Sequence, residues 1–139
     1  MDVERKVAIA KSMIDKAVKY GVDLKKFHID PCVMALSTCA TAMENFEQCI
    51  MQIHDYAPDV KITGAISNIS FDMPVRKIIN QNCMSLAIKA GLDSAIMDPC
   101  DREMIGTIYA AEALCLRDKS GRKYNRAYRQ GKFGPIKAE

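Results

Sequence analysis

Three polar residues close short apolar runs in this chain: Asp30 in FHIDPC, Asn68 in AISNIS and Asp98 in AIMDPC. They stand 38 and 30 residues apart, the length of one strand-plus-helix unit each. In parallel α/β architectures the carboxyl ends of the strands, with the loops that follow them, form the binding face. Three hydrogen-bonding side chains at such ends would therefore converge on one side of a sheet. Asp-Pro and Ser-Asn pairs also begin turns and cap helices as a matter of routine. Spacing alone thus marks a candidate site and names no ligand.

The elements that must position these residues follow from hydrophobic periodicity. Val7, Ala10, Ile14 and Ala17 share one helix face, and Gly21 stands where a helix cap belongs. A first strand from Phe27 is expected to end near Asp30, since Pro31 cannot donate to a central ladder. Met43, Phe46, Ile50 and Ile53 predict a helix broken by Ala57-Pro58. KITGAISNIS predicts a second strand ending near Ser67-Asn68. Ile78, Ile79, Cys83, Leu86 and Ala90 predict the apolar face of a helix over 75–90, stopped by Gly91, and SAIMDP predicts a third strand. Met104, Ile108, Ala111 and Cys115 mark a last long helix. Strands alternating with helices in this way imply right-handed crossovers and a parallel sheet, so the expected class is α/β.

At 139 residues and 49% hydrophobic, the chain is long enough for one compact core. Its apolar stretches fall far short of the roughly 20 residues a membrane-spanning helix needs. The charged MDVERK start does not read as a signal sequence, so the expected location is the cytoplasm and no membrane partner is expected. Six cysteines form no C-x-x-C pair and have no histidine set beside them, so they are read as free, mostly buried thiols and not as metal ligands. The net charge of +3 divides unevenly: residues 117–139 carry +6 and the remainder −3. That basic segment has no nucleic-acid motif; it is read as a solvated terminal helix with Tyr124 and Tyr128 one turn apart, which excludes nucleic acid as a partner. His28 and His54 are read as structural or exposed.

HIDPCVMALST followed by GAISNISFDMPVRKIINQNCMSLAIKAGLDSAIMDPCD closely resembles the pterin-binding barrel of methyltetrahydrofolate:corrinoid methyltransferases. Related barrels occur in cobalamin-dependent methionine synthase and dihydropteroate synthase. The most specific stretch is S-N-I-S-F, then P-V-R, then a helix ending in A-G-L-D, and the resemblance runs from the first helix to at least Arg117. It implies a TIM-type (β/α)8 barrel of which residues 1–117 supply the last three β/α units, strands six to eight, with residues 118–139 a basic C-terminal helix or tail. The implied activity is methyl transfer from methyltetrahydrofolate to the cobalt of a corrinoid.

By the same resemblance, Asp30 accepts hydrogen bonds from the pterin's amino and ring N–H groups, a task suited to a carboxylate because it offers acceptors only. Asn68 places its amide near N5, the methyl-bearing nitrogen, and is the expected catalytic residue. Arg76 in P-V-R would face the folate tail or the incoming corrinoid protein, Ser70 would support the loop, and Asp98 would stand behind the residues that touch the pterin. No D-x-H-x-x-G cobalamin segment is present, so the corrinoid is expected on a partner protein. More than half of an eight-stranded barrel is missing from these residues, so another chain or an N-terminal half must complete it, or copies must pair as a homodimer. Two other readings are a non-catalytic pterin- or partner-binding fragment of a split or truncated barrel, and a different pterin enzyme such as dihydropteroate synthase. S-N-I-S-F argues against the latter.

Overall fold

A computed structural model describes residues 2–136. The chain opens with helix α1, Val3–Lys19, whose N-terminus is capped by the Asp2 carboxylate accepting from the Arg5 amide at 2.9 Å. The face it buries is Val7, Ala10, Ile14 and Ala17, as the spacing predicts. Strand β1 is His28–Ile29, helix α2 Ala42–Tyr56 and strand β2 Lys61–Ile62. Residues Ile66–Ser70 then coil into a 3-10 turn. Helix α3 is Arg76–Ala90, α4 Arg102–Leu114 and α5 Arg122–Arg129.

β1 and β2 pair in parallel, with His28 opposite Lys61 and Ile29 opposite Ile62. Beyond β2, Ala65 and Ile96 form one further parallel bridge, and the Ile96 amide donates to the Gly64 carbonyl at 2.9 Å. Three segments thus run side by side, and the helices pack in sequence, α1 on α2, α2 on α3 and α3 on α4. Phe46, Ile50 and Ile53 of α2 and Val60, Ile62, Ile66 and Ile69 of the segment that follows it are 0–1% exposed and form the centre of the core. Each such side chain contributes about 1.5–3 kcal/mol by leaving water. Among the described residues no helix is long and apolar enough to cross a membrane.

Three local features depart from the periodicity. The expected third strand, SAIMDP, is reduced to the single bridge at Ile96. The second strand ends well before Ser67-Asn68, because Ile66, Ile69 and Ser70 are buried at i, i+3 and i+4, which coils that stretch into the turn. On α3 the buried residues are Cys83, Met84, Ala87 and Ile88, whereas Ile78 is 59% and Leu86 43% exposed. The helix carries two adjacent apolar stripes that share Cys83. The junction at Gly91, where an added Cβ would stand 3.3 Å from Ile50, selects the second of them.

The described cations of the basic segment are exposed, as expected of a solvated helix, and the segment is anchored along one side. Asp118 is buried and its carboxylate accepts from the amides of Lys123 at 3.0 Å and Tyr124 at 2.9 Å, fixing the start of α5. The Lys123 amide bond, with the second from Tyr124, holds the Asp118 carboxyl below its ordinary value. Phe133 packs against the rings of Tyr109, Tyr124 and Tyr128 at 5.7, 4.8 and 6.1 Å, and the Arg102 guanidinium donates to the Gly131 and Gly134 carbonyls. Aromatic residues among the cations supply the apolar face that draws this segment onto α4.

The cysteines are less buried than expected. Cys49 and Cys83 are buried, Cys39 and Cys115 half-buried, and Cys32 and Cys100 exposed, the last two because each Asp-Pro-Cys turn carries its third residue to the surface. Burial pushes the Cys49 thiol up, and burial together with the nearby Glu47 charge pushes Cys83 to about 12. A thiol whose folded value lies above its unfolded value of 9.0 contributes stability that is intact below 9.0 and is lost as pH rises toward about 12. Urea unfolding is therefore expected to shift to lower denaturant as pH climbs through that window. Cys83→Ala should flatten the slope, and an identical slope in that variant would assign it to other groups.

Candidate functional site

Side chains alternate across a strand, and this alternation divides the three parallel segments. Ile29, Ile62, Gly64 and Ile66 are buried against the helices. His28 and Asp30, then Lys61, Thr63 and Ala65, then Ser94, Ile96 and Asp98 occupy the alternate positions and are exposed or half-buried. Ile96 is 62% exposed, and His28 Nδ1 lies 3.3 Å from Ser94 Oγ on this face. The face turned from the helix layer therefore carries two of the three strand-end residues singled out from the sequence, Asp30 and Asp98.

Asp30 and Asp98 share one geometry. One carboxylate oxygen of Asp30 accepts from the Cys32 amide at 2.8 Å, and one of Asp98 accepts from the Cys100 amide at 2.8 Å. Each aspartate thus rigidifies its own Asp-Pro-Cys turn. In each, the second oxygen accepts no hydrogen bond from a described residue, and both residues are exposed. The capping role and a ligand-binding role are compatible, because a carboxylate has two oxygens.

Asn68 sits in the Ile66–Ser70 turn, where Ile66, Ile69 and Ser70 are 0–1% exposed. Its backbone is held at both ends: its amide donates to the Ala65 carbonyl and its carbonyl accepts from Phe71, each at 3.1 Å. Its side chain is exposed and makes no hydrogen bond to a described residue. A fixed backbone presenting an uncommitted carboxamide is the arrangement a hydrogen-bonding ligand requires.

Ser70 lies wholly inside, its hydroxyl donating to Asn80 Oδ1 at 2.7 Å and accepting from Arg76 Nε at 2.9 Å. Arg76 Nη2 also donates to the Ser67 carbonyl at 2.8 Å. Arg76 is therefore bound to the turn by two of its nitrogens, while the residue as a whole remains exposed. Sequence reasoning missed Asn80, whose only signal is its place one turn beyond Arg76 on α3.

His54 lies elsewhere in the scheme. His54 Nε2 is 3.0 Å from Asp93 Oδ2 and 3.2 Å from the Gly91 carbonyl. Asp93 also accepts from the Ile62 amide at 2.8 Å and from Lys61 Nζ at 3.3 Å. Asp93, the last residue of the A-G-L-D motif, thus ties α2, β2 and the approach to the third segment together at the end opposite the Asp30 and Asp98 turns. Among the described residues no three His, Cys, Asp or Glu side chains group so as to hold a metal ion.

No family model matches the chain. Among curated proteins it is 48% identical over 137 residues to the "Methylcorrinoid:tetrahydrofolate methyltransferase" of Eubacterium limosum. The match covers 99% of this chain and 51% of that protein, so the chain spans about half the length of the curated relative it matches. The similarity to that protein therefore runs along almost the whole of this chain and corresponds to about half of the relative.

Proposed function

We propose that this chain supplies part of the pterin site of a methyltransferase that moves a methyl group between N5 of tetrahydrofolate and a corrinoid carried by a separate protein. The observation that carries the reading is the exposed, unengaged carboxamide of Asn68 on an otherwise buried, doubly anchored turn, in a chain 48% identical to a methyltransferase of that kind. The relative's name gives the methylcorrinoid as donor, whereas the sequence motifs were read with methyltetrahydrofolate as donor. The two directions share one transition state, so the residues that stabilise it are the same in both.

In that site Asp30 accepts from the pterin's N–H groups with the carboxylate oxygen its turn leaves open, and Asp98 holds the turn of the third segment in the same form. Asn68 donates to N5, the atom on which negative charge builds as the methyl group departs and from which it recedes as the methyl group arrives. The corrinoid's cobalt supplies the methyl carrier when the partner docks. In this reading that cofactor is carried by the partner protein.

The three parallel segments are read as strands six to eight of a (β/α)8 barrel, residues 1–117 forming the partial barrel and 118–139 its appended basic segment. β1 has no neighbour on its outer side among the described residues, and Ile96 has none on its own. Beside β1, a hollow of about 410 Å³ is walled by Ile9, Met13 and Met34, each 41–46% exposed. Such edges and apolar faces call for cover, here by the strands that the relative's remaining length would provide, from the same chain or another. The cytoplasm is the compartment this reading assigns.

Calorimetric titration of tetrahydrofolate into this chain, alone and joined to a half that supplies the remaining strands, tests the proposal. Binding by the joined protein that disappears in Asp30→Ala, with methyl exchange seen in the visible absorption of a corrinoid protein, is the expected result. A folded joined protein that neither binds tetrahydrofolate nor exchanges methyl groups would refute it.

A further inference from the structure

The segment that joins the Asn68 turn to α3 is strained. Asp72 has φ +60°, and Val75, a β-branched residue immediately before α3, has φ +49° and ψ +46°. A β-branched residue in the left-handed region is an outlier that persists only when surrounding contacts over-determine it. The contacts here are those of the next residue. Arg76 turns back across the junction and grips the turn by Nε to Ser70 Oγ and Nη2 to the Ser67 carbonyl.

The direction of each bond is fixed. Arg76 can only donate, so the Ser70 hydroxyl accepts from it and sends its single proton elsewhere. Asn80 Oδ1 at 2.7 Å is closer than the Ser67 carbonyl at 3.2 Å, and the latter already accepts from Arg76. The chain Arg76–Ser70–Asn80 therefore bolts both ends of the Ser67–Ser70 segment to the first turns of α3, and Asn68 is the exposed side chain between those bolts.

We propose that Arg76, through Ser70 and Asn80, is a positioning residue that fixes the Asn68 carboxamide for its partner at N5, rather than a residue that touches the folate tail or the corrinoid protein. This rests on the role proposed for Asn68. Guanidinium geometry is essential to it, since Nε and Nη2 reach two acceptors at once; a lysine keeps the charge but presents a single point of contact.

Two measurements test it. In the full chain, Arg76→Gln and Ser70→Ala should each speed hydrogen exchange of the Asn68 and Phe71 amides by about tenfold or more, the scale set by losing a hydrogen bond to a charged group, with exchange in α1 and α2 unchanged. Unchanged exchange at Asn68 and Phe71 in both variants would overturn the strap, whatever Asn68 does in catalysis. In the joined, active protein, Arg76→Gln should lower kcat with little change in the KM for tetrahydrofolate, Arg76→Lys should fail to restore it, and Arg76→Gln should add no further loss when Asn68 is already Ala. A raised KM, restoration by Lys, or a loss that multiplies with that of Asn68→Ala would show that Arg76 acts on its own and overturn the positioning role. If Asn68→Ala alone leaves kcat unchanged, the function proposed for Asn68 falls, and with it the catalytic part of this proposal, while the exchange result still decides the strap.

Discussion

Asn68→Ala is expected to slow methyl transfer between tetrahydrofolate and the corrinoid by a hundredfold or more, in both directions. A donor aimed at an atom that gains charge only in the transition state lowers the barrier selectively, and deleting one such donor typically costs about 3–4 kcal/mol, or a factor of roughly 100 to 1,000. The substitution should leave folding intact, because the Asn68 side chain is exposed and bonded to no described residue, while the turn is held by backbone and by Ser70. Asn68→Asp is the sharper comparison. It keeps the shape but replaces the donor with an ionised acceptor, which faces charge of its own sign, so it should be at least as slow as Ala. Single-turnover rates followed in the corrinoid absorption measure both. Wild-type rates in Asn68→Ala, or a faster Asp variant, would remove Asn68 from the chemistry.

Much of what positions that residue was legible in the sequence, and the parts that were not have identifiable causes. The buried face of α1 reads off as Val7, Ala10, Ile14 and Ala17, and that of α2 includes Phe46, Ile50 and Ile53, because each helix has one apolar stripe and a polar back. β1 stops before Asp30, as Asp30-Pro31 requires. α3 was legible as a helix but not in its orientation, since Ile78, Ile79 and Leu86 compete with Met84, Ala87 and Ile88 for the core and periodicity cannot rank them. Asn68 was expected at a strand end and lies instead in the Ile66–Ser70 turn. ISNIS alternates like a strand and also buries i, i+3 and i+4, and tertiary packing chose the turn. The link between Arg76, Ser70 and Asn80 had no signature at all. It exists because the left-handed Val75 reverses the chain, and neither Val nor Asn80 announces such a reversal.

Phe46→Ala is the substitution expected to cost most stability, about 3–5 kcal/mol, which would be a large part of the roughly 5–15 kcal/mol that holds a domain of this kind together. Phe46 is 1% exposed, and its ring lies flush against Gly64: a Cβ added there would stand 2.7 Å from Phe46 Cζ, 3.3 Å from Cε2 and 3.3 Å from Val33 Cγ2. Glycine at 64 is thus a matter of space, the ring occupying the volume that any side chain would need. Gly64→Ala should therefore cost about 1–3 kcal/mol by overpacking. The pair should not be additive: in Phe46→Leu the shorter side chain leaves room, so adding Gly64→Ala should hurt less than it does in the wild type. Thermal or urea unfolding of the four proteins measures this coupling, and strict additivity would mean that the ring and the glycine do not constrain each other. The effect reaches the site through the backbone. The Gly64 carbonyl accepts from Ile96, and Ala65 beside it receives the hydrogen bond that starts the Asn68 turn. Any shift that Gly64→Ala forces should thus appear as a loss of methyl-transfer rate beyond what the loss of folded protein explains, and a rate that tracks only the folded fraction would show that the turn is anchored from α3 alone.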